Sequence, residues 1–100
     1  MPKLSIVVPH HLSEGEALER IKGLLGDLKR EHSGSFSDLK EEWSGSGGRF
    51  SVKAMGMSVT GGLAVSPGQV AMTGDLPLAA TPFKGRIEQM VRERMERLLA

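Results

Sequence analysis

Between residues 36 and 76 apolar and polar side chains alternate in short runs cut at glycines, and a helical amphipathic pattern stands on either side of that stretch. Runs with a strand period bury one face only, and flanking helix stripes need an apolar surface to cover, so each pattern supplies what the other lacks. Before the first helix, Leu4, Ile6 and Val8 alternate with Ser5 and Val7 as far as Pro9, which predicts a first strand. Ser13, with Glu16 three residues on, carries a capping-box signature. Leu18, Ile21, Leu24, Leu25 and Leu28 then share one stripe, so a helix is expected from Ser13 towards a stop at Gly34, with Lys29 and Arg30 complementing its dipole. Gly23 and Gly26 inside it each cost roughly 1 kcal/mol relative to alanine, so the segment depends on docking.

Phe36 to Trp43 is compatible with a second strand that places Leu39, Glu41 and Trp43 on one face. The run Gly45-Ser46-Gly47-Gly48 reads as a flexible connection, after which Phe50, Val52 and Ala54 mark a third strand. Turns at Gly56 and at Pro67-Gly68 separate Met57, Val59, Leu63 and Val65 from Val70, Met72 and Leu76, giving two more. Thr81 as N-cap and Pro82 at the first helical position open a final helix that runs to the C-terminus. The order β-α-β-β-β-β-α predicts an α+β fold, a mostly antiparallel sheet with two helices packed on one face and a solvated outer face.

With 100 residues and 39% hydrophobic content the chain can build one modest core, so a single domain over residues 1–100 is expected. Thirteen Lys and Arg stand against 12 Asp and Glu, so no overall field recruits nucleic acid or an anionic membrane. Single-stranded nucleic acid also needs aromatic stacking platforms among basic strands, which a chain with one Trp, three Phe and no Tyr does not offer. Without cysteine there is no disulfide, thiolate metal site or thiol nucleophile. No apolar h-region follows Lys3 and no run approaches the roughly 20 apolar residues of a transmembrane segment, so a cytoplasmic protein is the expectation.

The final helix carries the anomaly. Phe83, Ile87, Met90, Val91, Met95 and Leu98 form a broad apolar face, yet Arg94 falls in the middle of it. A guanidinium does not enter a core unpaired, so either its stem packs while its head reaches the surface beside Glu41, or it meets an anionic ligand in a cavity between helix and sheet. Lys84 in the first turn opposes the helix dipole and reads first as an exposed residue. His10 and His11 are adjacent in an extended segment, point to opposite sides, and make a poor metal chelate. His32 suits a helix C-terminus. Glu41 and Glu42 likewise face opposite ways and do not form an acid/base pair. The Ser44–Gly48 run lacks the Lys-Ser/Thr ending of a phosphate loop. Methionines 55, 57, 72, 90 and 95 are first of all core fillers, and secondarily candidates for an adaptable apolar pocket.

Several segments together resemble a known family. Pro9-His10-His11-Leu12-Ser13 leading into an acidic-started helix, Trp43, the glycine-spaced strands from Gly56 to Leu63, and Phe83-Lys84-Gly85-Arg86-Ile87-Glu88 are similar to the polyhydroxyalkanoic acid system proteins. These are small bacterial proteins without an established reaction. The element order also resembles a shortened helix-grip domain, the architecture of START-like lipid carriers, with fewer strands and one N-terminal helix. That likeness implies a hydrophobic ligand between the final helix and a curved sheet. The first expectation is therefore a non-enzymatic binding module without a cofactor, holding an apolar or acyl ligand against Phe83, Ile87, Met90 and Trp43, with Arg94 at its polar end. The alternative is a structural or protein-interaction domain, a homodimer or a polyester-granule-associated protein, with no ligand cavity. An enzymatic reading ranks last for want of an acid/base constellation.

Overall fold

A computed structural model describes residues 3–32, 34–54 and 56–100. Five strands, β1 (Lys3–Pro9), β2 (Phe36–Ser44), β3 (Gly47–Ala54), β4 (Met57–Ser66) and β5 (Gln69–Asp75), form one sheet in the order β1-β5-β4-β3-β2, and every neighbouring pair is antiparallel. The α+β fold and the antiparallel sheet follow the alternation read above. Leu4, Ile6 and Val8 of β1 are buried while Ser5 and Val7 between them are exposed, and β5 repeats the pattern with Val70 and Met72. Helices α1 (Glu14–Ile21), α2 (Leu24–Glu31) and α3 (Lys84–Leu99) contribute Ile21, Leu24 and Met95, all fully buried, to the same core as Ile6 and Val70.

The expected single first helix is two short ones. Ser13 is the N-cap of α1, its Oγ accepting from the Glu16 amide at 3.1 Å, but the Glu16 carboxylate pairs with Arg20 rather than completing the box. The chain leaves the helix at Lys22 and re-enters at Gly23, which is the N-cap of α2 without a side-chain bond. Topology supplies the reason. β1 and β2 lie at opposite edges of the sheet, four inter-strand gaps apart, a span of roughly 19 Å at ~4.8 Å per gap, so the connection must traverse the sheet's covered face. A break at a residue of low helix propensity lets Ala17 and Ile21 seat on one part of the core while Leu24, Leu25 and Leu28 seat on another.

The Gly45–Gly48 run is not a loop throughout. Ser44 pairs with Gly47, so Gly45 and Ser46 alone make the turn, and Gly47 and Gly48 belong to β3. Packing requires glycine here: a Cβ on Gly48 would lie 2.7 Å from Cε3 of Trp43, whose ring lies over it from the paired strand. Phe50 repeats the arrangement one strand further, its Cζ 2.7 Å from where a Cβ on Gly61 would sit. Aromatic rings laid across glycines restore the surface those glycines lack.

The final helix also begins differently. A 3₁₀ helix, Leu78–Phe83, precedes α3 and contains Pro82, and the Thr81 hydroxyl donates back to the Leu78 carbonyl at 2.7 Å instead of capping. Phe83 occupies the N-cap position of α3. Both sheet edges are blunted: Arg92 on α3 donates to the Val7 carbonyl of β1 at 3.0 Å, while β2 carries Lys40, Glu41 and Glu42 and a register shift around Asp38, whose φ is 51°.

Candidate functional site

Between α2, α3 and the sheet lies an apolar cavity of about 70 Å³, bounded by Leu28 of α2, Ile87, Met90 and Val91 of α3, and Phe50 and Val52 of β3. Its lining is apolar apart from Lys29, so it offers water almost no hydrogen-bond partners. Beside it a groove of about 310 Å³ opens between the start of α3, the 3₁₀ turn and the β3–β4 end of the sheet. The two spaces share Phe36, Ala54, Val59, Leu76, Ile87 and Met90 as walls. Met90, unbranched and flexible, is the most adaptable of these shared walls.

The strand and helix periods explain why these residues converge. Phe50, Val52 and Ala54 alternate along β3 and their register partners Gly61, Val59 and Met57 along β4 share that face. On the helix, Phe83, Ile87 and Met90 recur at the four- and three-residue spacings of a single face. Ile87 and Met90 thus line both spaces and Phe83, 46% exposed, stands at the mouth of the groove.

Trp43 and Arg94 lie elsewhere. Trp43 borders a surface recess with Gly48 and Arg49, and its Nε1 is 3.4 Å from Glu41 Oε1, a weak bond on the edge strand. The expected Arg94–Glu41 pairing is replaced by an ion pair with Glu31, the last residue of α2, because α2 packs directly against α3. The side chain of Arg94 is 20% exposed and that of Glu31 47%. Arg94 lines neither the cavity nor the groove.

Two charged lining residues were not read as site residues from the sequence. Lys29 borders the cavity, its stem covering apolar surface as lysines at helix rims do, and Arg86 borders the groove. The signal for Arg86 was present in the spacing, three residues after Phe83 and four before Met90.

The remaining candidates have local roles. His10 is buried; its Nδ1 accepts from the Leu12 amide at 3.1 Å and its Nε2 donates to the Ser66 carbonyl at 2.9 Å, which fixes the Nε2–H tautomer and ties β1 to the β4–β5 turn. His11 points outward and is exposed. His32 is the C-cap of α2, stacks edge-on against Phe36 at 6.1 Å between ring centroids, and borders the groove. Lys84 is half-buried as the first residue of α3. Glu41 and Glu42 are in register with Phe50 and Arg49, on opposite faces. Met57 borders the groove, Met72 the cavity, and Met95 is fully buried; Met55 lies outside the described residues. Among the described residues no three His, Asp or Glu side chains converge as metal ligands. What the site offers chemically is dispersion contact over most of its wall and a guanidinium at one rim.

Fold and groove together define a class: a small α+β protein whose helices cover one face of an antiparallel sheet and leave an apolar opening at one end. The chain belongs to the family described as "Putative polyhydroxyalkanoic acid system protein" (PHA_gran_rgn), whose model matches residues 4–99. A solved structure, that of TTHA0849 from Thermus thermophilus, is similar at 15% sequence identity and a TM-score of 0.40, over 98% of this chain and 92% of that one. No curated protein is a significant match. No helix among the described residues is long and apolar enough to cross a membrane.

Proposed function

We propose that this protein is a non-enzymatic binding module that takes up a short apolar or acyl chain through the groove, with the chain's end reaching towards the inner cavity. The observation that carries this reading is the common wall: Ile87 and Met90 line both a groove of about 310 Å³ and an apolar cavity of about 70 Å³ beside it, so the two spaces adjoin. Neither space serves alone. The cavity is too small for a chain, and the groove sits at the lower end of the ~300–1,000 Å³ typical of small-molecule sites. An unfilled void of this size costs about 1.7 kcal/mol at ~24 cal/mol per Å³, a penalty that an inserted methyl end offsets.

Comparing native with denaturing mass spectra of protein freshly purified from a bacterial host tests the proposal. A stoichiometric excess mass lost on denaturation, or one gained on adding octanoate, is expected; persistent failure to acquire either removes the reading. One observation favours the interaction alternative: Leu78, 77% exposed, and Phe83, 46% exposed, are large apolar side chains left uncovered on the 3₁₀ segment that precedes α3. In that case sedimentation would show self-association that a Leu78→Ser substitution abolishes.

A further inference from the structure

The structure assigns Arg86 as the anchor for an anionic head group, so that the ligand of the groove is an amphiphile with a carboxylate at one end; this rests on the binding-module reading above. Arg86 is the one Lys, Arg, Asp or Glu side chain among the groove-lining residues, and Lys29 is its counterpart at the cavity. Among the described residues neither space has a carboxylate in its wall. A site that is apolar within and cationic at its rim discriminates against cations and orients a tail-and-head ligand with its head outward.

Of the other arginines on the helices, Arg97 on the last turn of α3 lines neither space, and the rest have partners. Arg20 is bonded to Glu16 and to the carbonyls of Leu98 and Ala100, Arg30 to Asp27, Arg92 to the Val7 carbonyl and Arg94 to Glu31. Arg86 has no ion-pair or side-chain hydrogen-bond partner among the described residues. The helix offers it no carboxylate, since the residues three and four positions away are Pro82, Phe83, Gln89 and Met90. Two of those four, Phe83 and Met90, are themselves groove walls, so the same helix face presents the apolar contacts and the planar fork that suits a carboxylate. The polar end expected at Arg94 therefore belongs two turns nearer the start of α3.

Calorimetric titration of the whole protein with octanoate and with 1-octanol, both below their aggregation limits, tests the assignment. Because Arg86 is exposed, the expected loss on Arg86→Gln is roughly three- to tenfold in octanoate affinity, with octanol unchanged. Arg86→Lys recovers part of it, and Arg97→Gln, on the last turn of α3, has no effect. Raising the salt concentration weakens octanoate and leaves octanol alone. Equal binding of octanoate to wild type and Arg86→Gln overturns the role of Arg86 while the groove stands. Binding of neither probe to the wild type overturns the groove reading, and this inference with it.

Discussion

At the scale of single residues, the sheet depends on two glycines that carry aromatic rings. A Cβ on Gly61 would overlap the Thr73 carbonyl oxygen and lie 2.7 Å from Phe50, the first of these a backbone atom that cannot step aside. Gly61→Ala is therefore expected to destabilise by about 2 kcal/mol or more, read as a fall in the urea midpoint. Arg94→Leu has a smaller expectation, within about 1 kcal/mol of wild type and with octanoate affinity intact, because its partner Glu31 is half exposed and the pair is partly screened. The common helix face of the candidate site was legible, since the Phe83-Ile87-Met90 spacing puts these three side chains together and all three line the groove. Trp43 and Arg94 were misplaced for one reason: alternation and helical angle say which face a residue occupies, not how far along the sheet it sits or which neighbour meets it.

At the scale of elements, alternation predicted β1, β3, β4 and β5 because each buries one face, whereas β2, half-buried at Phe36, Leu39 and Trp43 across a register shift, was only compatible with a strand; the two-residue turns at Gly45-Ser46 and Pro67-Gly68 close their hairpins in register. The break between α1 and α2 was not legible. A stripe repeating every 3.6 residues looks the same whether the helix is continuous or interrupted, and the interruption answers to the distance between β1 and β2, a property of the sheet. Gly26 sits inside α2 with no atom nearer than 4.0 Å to an added Cβ, that atom being the far end of Arg30, and its backbone has no positive φ. Gly26→Ala should thus stabilise by roughly 0.5–1 kcal/mol, checked by thermal unfolding, with no effect on ligand uptake. Thr81 and Pro82 signalled a helix start, but the chain had already begun to coil at Leu78 in the tighter 3₁₀ form, which places the first α turn at Lys84.

For the whole molecule, the void between helices and sheet sets stability against binding. Ala54 borders both spaces, and Ala54→Val adds volume there without a polar atom. The expected result is a urea midpoint equal to or above wild type together with loss of octanoate binding; unchanged binding would place the ligand elsewhere. The order of the strands has a different kind of consequence. β2 to β5 form a meander whose hairpins join near neighbours in the chain, whereas β1 finds its partner in β5, Ser5 lying opposite Thr73. The ribosome delivers β1 first, yet the segment that holds it emerges long afterwards, so the opening residues must wait with Leu4, Ile6 and Val8 unprotected. Loop-closure entropy makes this the last pairing to form, after the transition state has closed the hairpins of the meander. Ile6→Val should consequently speed unfolding while scarcely changing the refolding rate, and substitutions in the β3–β4 hairpin should do the reverse.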